Sequence, residues 1–357
     1  MCSWLGRRYG RDRGMDRIAP TVSQTRPADT IPPMASAESG TSTEPGSGAG
    51  APGGEPLCAL VGPTAAGKSE LALLLAERWD AEIVSVDSMQ VYRGMDVGTA
   101  KPGPGERARV PHHLLDRVDP PERYDAQRYL ADVERAVSEI RARGRRVLFA
   151  GGTGFYLKAL THGLFGGPAV DPALRAELEA RARAEGGEAL HAELQSVDPE
   201  AAGRLHPADR RRVVRALEVW RQTGRRLSDW QREWRGRPGR PRRICGIARR
   251  PEELAQRIAA RTRAMLDAGW ADEARAIRDG VGFGPTSIQA LGYREALLLA
   301  DGELGRAEAE QAVALRTRQF ARRQGTWFRK FPEIEWLPGA ETPEDLLPRA
   351  ARALGWD

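Results

Sequence analysis

The sequence predicts an α/β protein in which helices cover both faces of a parallel sheet and an all-helical segment interrupts that sheet. Three observations support this fold class. Short apolar runs alternate with helical stretches, a pattern typical of parallel sheets. A glycine-rich turn joins the first apolar run to the first helical stretch. Strand signals then stop over residues 169–243, which predicts a helical insertion.

The N-terminal residues 1–56 are predicted to form a disordered extension. Residues 35–56 contain no Leu, Ile, Val or aromatic side chain. Such a segment cannot bury enough apolar surface to offset the entropy that it would lose on ordering. We expect the extension to be dispensable, and a tail that binds a partner is the alternative.

The first part of the core is predicted over residues 57–168. The apolar run LCALVG begins at Leu57 and indicates a buried strand, which an amphipathic helix follows. Further strands are expected at residues 83–87 and 147–152, with a helix over residues 126–143 between them. Another helix is expected to open at Gly154.

The insertion, residues 169–243, is rich in arginine. Between residues 209 and 243 there are thirteen Arg against four acidic residues, with Trp220, Trp230 and Trp234 interleaved. Arginine beside aromatic side chains suits a nucleic acid with unstacked bases. A solvated helix face, enriched in Arg by codon bias, is the alternative interpretation.

Residues 244–340 are predicted to complete the core. The run ICGIA at residues 244–248 returns the chain to the sheet, and long helices are expected over residues 251–269 and 306–330. The second of these carries a basic and aromatic face, since side chains three and four residues apart share one side of a helix. That face comprises Arg316, Phe320, Arg323 and Trp327. Residues 341–357 are predicted to form a C-terminal tail segment.

Composition and cysteine usage exclude several classes of protein. Lys and Arg number 55 against 49 Asp and Glu, a small excess that only weakly favours an anionic partner. The three cysteines are scattered and form neither a disulfide framework nor a paired metal motif. No apolar run approaches the roughly 20 residues needed to span a bilayer. We expect a soluble protein of the reducing cytoplasm, with no membrane contact.

A phosphate-binding loop is the strongest local motif. Gly62-Pro63-Thr64-Ala65-Ala66-Gly67-Lys68-Ser69 fits GxxxxGK[ST] and lies between a predicted strand and a predicted helix. Its glycines let backbone N–H groups turn inward as an anion-binding nest, and the helix N-terminus adds partial positive charge. The pattern predicts a di- or triphosphate site without saying which compound binds.

Two further polar groups are expected beside this loop. Asp87 ends the second apolar run, and Thr153 follows the third. The carboxyl ends of parallel strands meet at one edge of the sheet, so both should share a crevice with the phosphates. A carboxylate at the position of Asp87 can hold Mg²⁺ through water or accept a proton from an incoming nucleophile. Turn formation is the alternative role for both residues.

At this point the residues resemble the bacterial tRNA dimethylallyltransferases, also called tRNA isopentenyltransferases. The resemblance extends in family order from about residue 57 to residue 336. The most diagnostic segment is SVDSMQVYRGMDVGTAKP at residues 85–102. The other matching segments are GPTAAGKS, PHHLLD, GGTGFYLKAL, HPADRRRVVRALEV, ALGYRE and ARRQGTWFRK.

The resemblance implies a P-loop kinase-like fold and a definite reaction. A dimethylallyl group would pass from dimethylallyl diphosphate to the exocyclic amine of the adenosine adjacent, on the 3′ side, to the tRNA anticodon, with release of diphosphate. The anticodon stem-loop and the donor are thus the implied partners, and Mg²⁺ is the implied cofactor. No obligate protein partner is evident, and we expect a monomer.

The resemblance also implies roles for individual residues. Asp87 would be the base, with Lys68 and Arg261 as the other catalytic groups and Ser69 as the ligand of Mg²⁺. The donor diphosphate would lie in the loop Gly62, Pro63, Thr64, Ala65, Ala66, Gly67, Lys68 and Ser69. Contacts with tRNA are implied for Asp87, Ser88, Met89, Gln90, Thr153, Arg175, Arg211, Arg212, Val213, Val214, Arg215, Gln289, Ala290, Leu291, Gly292, Tyr293 and Arg294.

Two other functions remain compatible with the phosphate loop alone. One is a small-molecule or nucleotide kinase, and the other is an RNA-binding protein that uses a nucleotide as a switch. The same loop motif is common in ATP-binding proteins. We nevertheless expect that ATP is neither consumed nor required, because diphosphate is already the leaving group in the implied reaction.

Overall fold

The structure, a computed structural model, describes residues 56–164, 167–236, 242–339 and 342–357. All of the predicted extension except Pro56 therefore lies outside the described residues. Six parallel strands form one sheet in the order β3-β2-β4-β1-β5-β6. The strands are β1 (Leu57–Val61), β2 (Ala81–Val86), β3 (His112–His113), β4 (Arg146–Gly151), β5 (Arg242–Ala248) and β6 (Ile334–Pro338).

Fourteen α-helices accompany the strands within these ranges. They are α1 (Lys68–Arg78), α2 (Pro104–Arg109), α3 (Ala126–Ala142), α4 (Gly154–His162), α5 (Pro172–Ala184), α6 (Gly187–Val197), α7 (Pro199–Arg204), α8 (Arg210–Thr223), α9 (Leu227–Gly236), α10 (Pro251–Asp267), α11 (Trp270–Asp279), α12 (Tyr293–Ala300), α13 (Arg306–Phe328) and α14 (Pro343–Leu354). The predicted α/β class, with a parallel sheet flanked by helices, is confirmed.

The sheet has a hydrophobic core on each face, because side chains alternate along a strand. On β1, Ala59 and Val61 belong to one core, which α3, α4 and the helices α10 to α13 cover. Cys58 and Leu60 point the other way, into a core that α1 and α14 complete. All five residues of β1 are buried, as expected of a central strand covered on both faces.

Helices α5 to α9 lie between α4 and β5 in the chain and have a hydrophobic core of their own. Leu178, Leu194, Val214 and Leu217 are among its fully or almost fully buried members. The described residues between 167 and 236 contain helices and no strand.

The C-terminal segment is part of the core rather than a tail, which corrects the expectation for residues 341–357. Helix α14 packs against α1 and β5, and Leu346, Ala350 and Leu354 are buried there. The sequence did contain the helix signal. Thr342 accepts from the backbone N–H of Asp345 in a capping box, and Pro343 occupies the first turn.

The diagnostic segment at residues 85–102 is held in place by two buried or half-buried charges. The Lys101 side chain is 1% exposed, and its ammonium donates to Tyr92 O (2.6 Å) and Asp116 Oδ1 (2.7 Å). From α11, the Glu273 carboxylate accepts the backbone N–H groups of residues 96–98 and the Tyr293 hydroxyl (2.6 Å). Lys101 within the segment and Glu273 outside it therefore both fix the backbone of this segment.

Candidate active site at the carboxyl edge of the sheet

Three central strands end at one level of the sheet. Gly151, the last residue of β4, is in register with Val61 of β1 and Val86 of β2. The phosphate loop, Asp87 and the Gly152–Thr153 turn therefore emerge side by side, as predicted from the sequence.

The phosphate loop has the backbone shape of an anion nest. Ala65 and Gly67 have positive φ angles of 63° and 100° within a turn that leads into α1. Alternation of this kind directs successive N–H groups toward one point. The Lys68 ammonium folds back to Pro63 O (2.8 Å), and the Ser69 hydroxyl lies on an exposed residue at the start of α1.

Three guanidinium groups contact the loop from the β5–α10 side. They are Arg261, which donates to Thr64 Oγ1 (3.0 Å), Arg257, which donates to Ala65 O (2.8 Å), and Arg249, which donates to Ala66 O (2.8 Å). Of these three residues, only Arg261 was predicted from the sequence. Arg257 lies one helical turn before it, and this spacing is the signal that was available for it.

The charges at this edge act on one another. Burial, and next the neighbouring Arg261 guanidinium, lower the pKa of the Lys68 ammonium to about 8, while Asp87 acts in the opposite direction. Burial likewise lowers the pKa of Arg261, against the attraction of Asp87. Three side chains expected to be catalytic are therefore brought together. The loop carries a concentration of positive charge that an anionic ligand would relieve.

Asp87 uses one carboxylate oxygen to hold a turn and leaves the other available to a ligand. Its Oδ1 accepts from the backbone N–H groups of Met89 (2.8 Å) and Gln90 (3.3 Å), which is the turn-forming alternative raised above. Its Oδ2 makes no hydrogen bond within the part of the chain that the structure describes. The carboxylate is thus held by one oxygen, and the other is available to accept a proton.

The neighbouring residues predicted to touch tRNA have different environments. Thr153 Oγ1 accepts the Ser88 N–H (3.2 Å), which ties the turn after β4 to the turn after β2. The Gln90 amide is used within its own loop, since it accepts from Ser85 (3.0 Å) and donates to Thr99 O (3.3 Å) and Ala100 O (3.2 Å). Met89 packs against the core.

In the insertion, the predicted tRNA contacts divide into exposed and buried groups. Arg211 and Arg212 are exposed on the first turn of α8, whereas Val213 and Val214 are buried in the core of the insertion. The side chains of these valines are therefore packing residues.

Arg175 and Arg215 meet at a buried carboxylate. Glu218 is fully buried, and its Oε2 pairs with Arg175 (2.6 Å) and Arg215 (3.1 Å). Arg215 also donates to Pro168 O (2.6 Å), near the start of the insertion. These two arginines hold the insertion together. The three-residue spacing of Arg215 and Glu218 on α8 indicated one of these pairs, whereas no spacing indicated the pair with Arg175.

The third predicted contact segment, residues 289–294, opens α12. Gln289 and Arg294 are exposed, while Ala290, Gly292 and Tyr293 are buried and Leu291 is half-buried. Only the exposed pair presents a whole side chain to a partner.

Several of the arginines in the described part of the basic stretch are paired with acids. Ion pairs join Arg212 to Asp209, Arg221 to Glu177 and Glu193, Arg225 to Glu233, Arg232 to Asp229 and Glu200, and Arg242 to Glu333. Trp230 packs against the core of the insertion beneath the Arg225 guanidinium. The raw count of thirteen arginines therefore overstates the charge available to a nucleic acid, and the side chain of Trp234 lies outside the described residues.

Neither a metal cluster nor a membrane span is found in the described ranges. They contain no group of three or more His, Cys, Asp or Glu side chains arranged to hold a metal ion. None of their helices is long and apolar enough to cross a membrane.

Comparison with known proteins places this arrangement in a family. A profile described as IPP transferase matches residues 90–331. A tRNA dimethylallyltransferase of Halorhodospira halophila is 50% identical over 77% of this chain and 90% of its own length. The crystal structure of a tRNA isopentenylpyrophosphate transferase from Bacillus halodurans is similar with a TM-score of 0.61 and 36% identity, over 85% of this chain and 97% of that one.

A further solved structure is that of a eukaryotic dimethylallyltransferase acting on tRNA. It is similar with a TM-score of 0.72 and 27% identity, over 84% of this chain and 78% of that one. The profile covers more than half of the chain, and the relatives match along most of their own length. The chain belongs to the IPP transferase family.

Proposed function

We propose that this protein transfers a dimethylallyl group from dimethylallyl diphosphate to the exocyclic amine of the adenosine on the 3′ side of the tRNA anticodon. One observation carries the proposal: a carboxylate with a spare oxygen, Asp87, lies beside Lys68 and Arg261 at the mouth of an anion nest. The names of its relatives, which are tRNA dimethylallyltransferases, support the same reaction.

The transfer needs a base and a stabilised leaving group. The amine nitrogen forms a bond to the primary allylic carbon as the bond from that carbon to the diphosphate oxygen breaks. The amine proton passes to Asp87 Oδ2, and the diphosphate leaves with the electron pair. A positioned base of this kind contributes about 10²- to 10⁴-fold to a rate.

Positive groups around the loop would hold the diphosphate and stabilise the charge that develops as it leaves. The nest supplies backbone N–H groups, and Lys68 and Arg261 supply full charges that are already in place. Arg257 and Arg249 support the loop by binding its carbonyl groups, which keeps the N–H groups turned toward the ligand.

The donor set fits Mg²⁺ as the implied ion. Mg²⁺ keeps several waters and is usually bound by one or two carboxylates together with substrate phosphates, so a cluster of three carboxylates is not needed. In phosphate-binding loops of this type the Ser or Thr hydroxyl is also a ligand of the ion. The exposed Ser69 hydroxyl, beside the nest, is the oxygen that would hold it. When bound, the ion would neutralise part of the diphosphate charge.

The acceptor base would reach Asp87 by leaving the stack of the anticodon loop, since its amine is otherwise covered. We propose that Arg211, Arg212, Gln289 and Arg294 contact the RNA through their exposed side chains. Apart from Asp87, the other residues of segments 87–90, 211–215 and 289–294 would shape the surface through backbone and packing. A tRNA substrate also implies the cytoplasm, and we propose that the protein acts there as a monomer.

Purified protein, unmodified tRNA, Mg²⁺ and dimethylallyl diphosphate, with and without ATP, test the proposal. Mass spectrometry of the tRNA nucleosides should show a dimethylallyl adduct on adenosine without ATP. Modification only with ATP, with ADP released in step, would favour a kinase. Tight RNA binding with no covalent product would favour an RNA-binding switch.

A further inference from the structure

Gln324 of α13, in the segment ARRQGTWFRK, makes two hydrogen bonds for which the resemblance assigns no role. Its side chain is nearly buried, at 8% exposed. The amide oxygen accepts the Thr64 N–H (2.8 Å), and the amide nitrogen donates to Gly152 O (2.9 Å). One side chain therefore bridges the phosphate loop after β1 and the turn after β4.

The two partners require an amide at this position. A backbone N–H can only donate and a backbone carbonyl can only accept, so the bridge needs one acceptor and one donor on the same group. An ionised carboxylate of the same length lacks the donor, and a thioether offers neither strong group. Gly152 is also needed, because a Cβ there would lie 2.4 Å from the Gln324 amide nitrogen.

Each bridged loop leads directly to a group of the proposed reaction. On the donor side, Thr64 Oγ1 accepts from Arg261. On the acceptor side, Gly152 precedes Thr153, whose hydroxyl oxygen accepts the Ser88 N–H next to Asp87. Hydrogen bonds, together with the covalent links within Thr64 and between Gly152 and Thr153, thus connect Arg261 to the Asp87 turn, and Gln324 is the central member of this series.

We propose that Gln324 is a positioning residue that fixes the phosphate loop relative to the Asp87 turn. This inference rests on the proposed function for its effect on rate. Gln324 acts through Thr64 and Gly152, without touching the reacting atoms. Transfer requires the allylic carbon, the leaving oxygen and the attacking amine to be aligned, and a misplacement of about 1 Å costs on the order of 10²-fold in rate.

The Gln324→Met variant removes both hydrogen bonds and keeps the length of the side chain. We expect its single-turnover rate to fall by about 10- to 100-fold, when the rate is divided by the fraction of the protein that binds the donor. The KM for tRNA and the KM for the donor should be nearly unchanged. Gln311→Met, at an exposed position of the same helix, is the matched control and should behave as wild type. The inference would be overturned if the donor-binding fraction of Gln324→Met reacted at the wild-type rate.

The Gln324→Glu variant adds a pH readout that a purely structural role would not give. The ionised carboxylate accepts from Thr64 but repels Gly152 O, whereas the protonated acid can again donate to Gly152 O. Its rate relative to wild type should therefore rise as the pH falls, while the relative rate of Gln324→Met stays flat. A relative rate of Gln324→Glu that does not change with pH would overturn the inference.

Hydrogen exchange separates this inference from the proposed function. In Gln324→Met the amides of residues 88–90, which Gln324 does not touch, should exchange faster together with that of Thr64, and Gln311→Met should show neither change. Unchanged exchange at residues 88–90 would overturn the link between the loops. If wild-type protein makes no prenylated tRNA, the proposed reaction fails, and the exchange experiment still decides whether Gln324 couples the two loops.

Discussion

At the scale of single residues, Asp87 combines support of a turn with basicity. Its Oδ1 holds the N–H groups of Met89 and Gln90, and asparagine can make the same two bonds with its amide oxygen. Asp87→Asn should therefore keep the turn and lose the base. We expect transfer to slow by about 10²- to 10⁴-fold in single-turnover kinetics with tRNA affinity preserved.

The control for this variant is Asp119→Asn, which changes an exposed carboxylate paired with Arg93. It should react at the wild-type rate. An unchanged rate in Asp87→Asn would remove Asp87 from the role of base and leave it only the turn.

The lowered pKa of Lys68 predicts that the affinity for the donor depends on pH. Its pKa is lowered to about 8 in the free protein, and only the charged ammonium attracts diphosphate. The charged form is present below this pKa and is lost above it, so affinity should fall as the pH rises. Above the free pKa the loss should approach about tenfold per pH unit, until the pKa of the donor complex is reached.

Calorimetric titration with dimethylallyl diphosphate on either side of pH 8 measures this effect. Lys68→Ala removes the titrating group, so its affinity should be weaker and flat over the same range. If Lys68→Ala keeps the wild-type pH dependence, another group is responsible.

At the scale of elements, α8 presents two arginines to solvent and uses a third internally. Arg211→Glu with Arg212→Glu should weaken tRNA binding. The slope of log affinity against log salt should fall by about 0.7–0.9 for each phosphate that these two side chains bind in the wild type. Arg215 is left unchanged, because a glutamate there would face the buried Glu218 and destabilise the insertion.

The control is Arg183→Glu, which reverses the charge of an exposed arginine on α5. Filter binding at several salt concentrations gives both slopes. A slope that the α8 double variant does not change would mean that these arginines contact no phosphate.

The elements also show what a sequence can and cannot predict. The phosphate loop, Asp87 and the strands before them were predictable, because a nest and a buried strand are each encoded by neighbouring residues. Gln324 was not, since its role depends on two loops that meet only in the folded sheet. The pairing of Arg175 with Glu218 was missed for the same reason, whereas Arg215 lies three residues before Glu218 on α8, a spacing that was available in the sequence.

At the scale of the whole molecule, activity should reside in residues 56–357. The preceding residues carry six Arg against six Asp and Glu, with no local excess to attract RNA, and residues 35–56 offer little to bury. Deleting residues 1–55 should leave the transfer rate, tRNA affinity and melting temperature unchanged. A marked loss of tRNA affinity would instead make this segment a binding arm.

The order of strands in the sheet has a consequence for synthesis on the ribosome. Strand β1 pairs with β4 on one side and with β5 on the other, and the whole insertion is translated between those two neighbours. At about 5–20 residues per second, the chain from Leu57 to Arg242 takes on the order of ten to forty seconds to make. Throughout that time the central strand has an open edge, which is a template for pairing with other chains. The insertion has its own core and can fold during the delay, so the nascent protein depends on the timely arrival of β5 to cover this edge of β1.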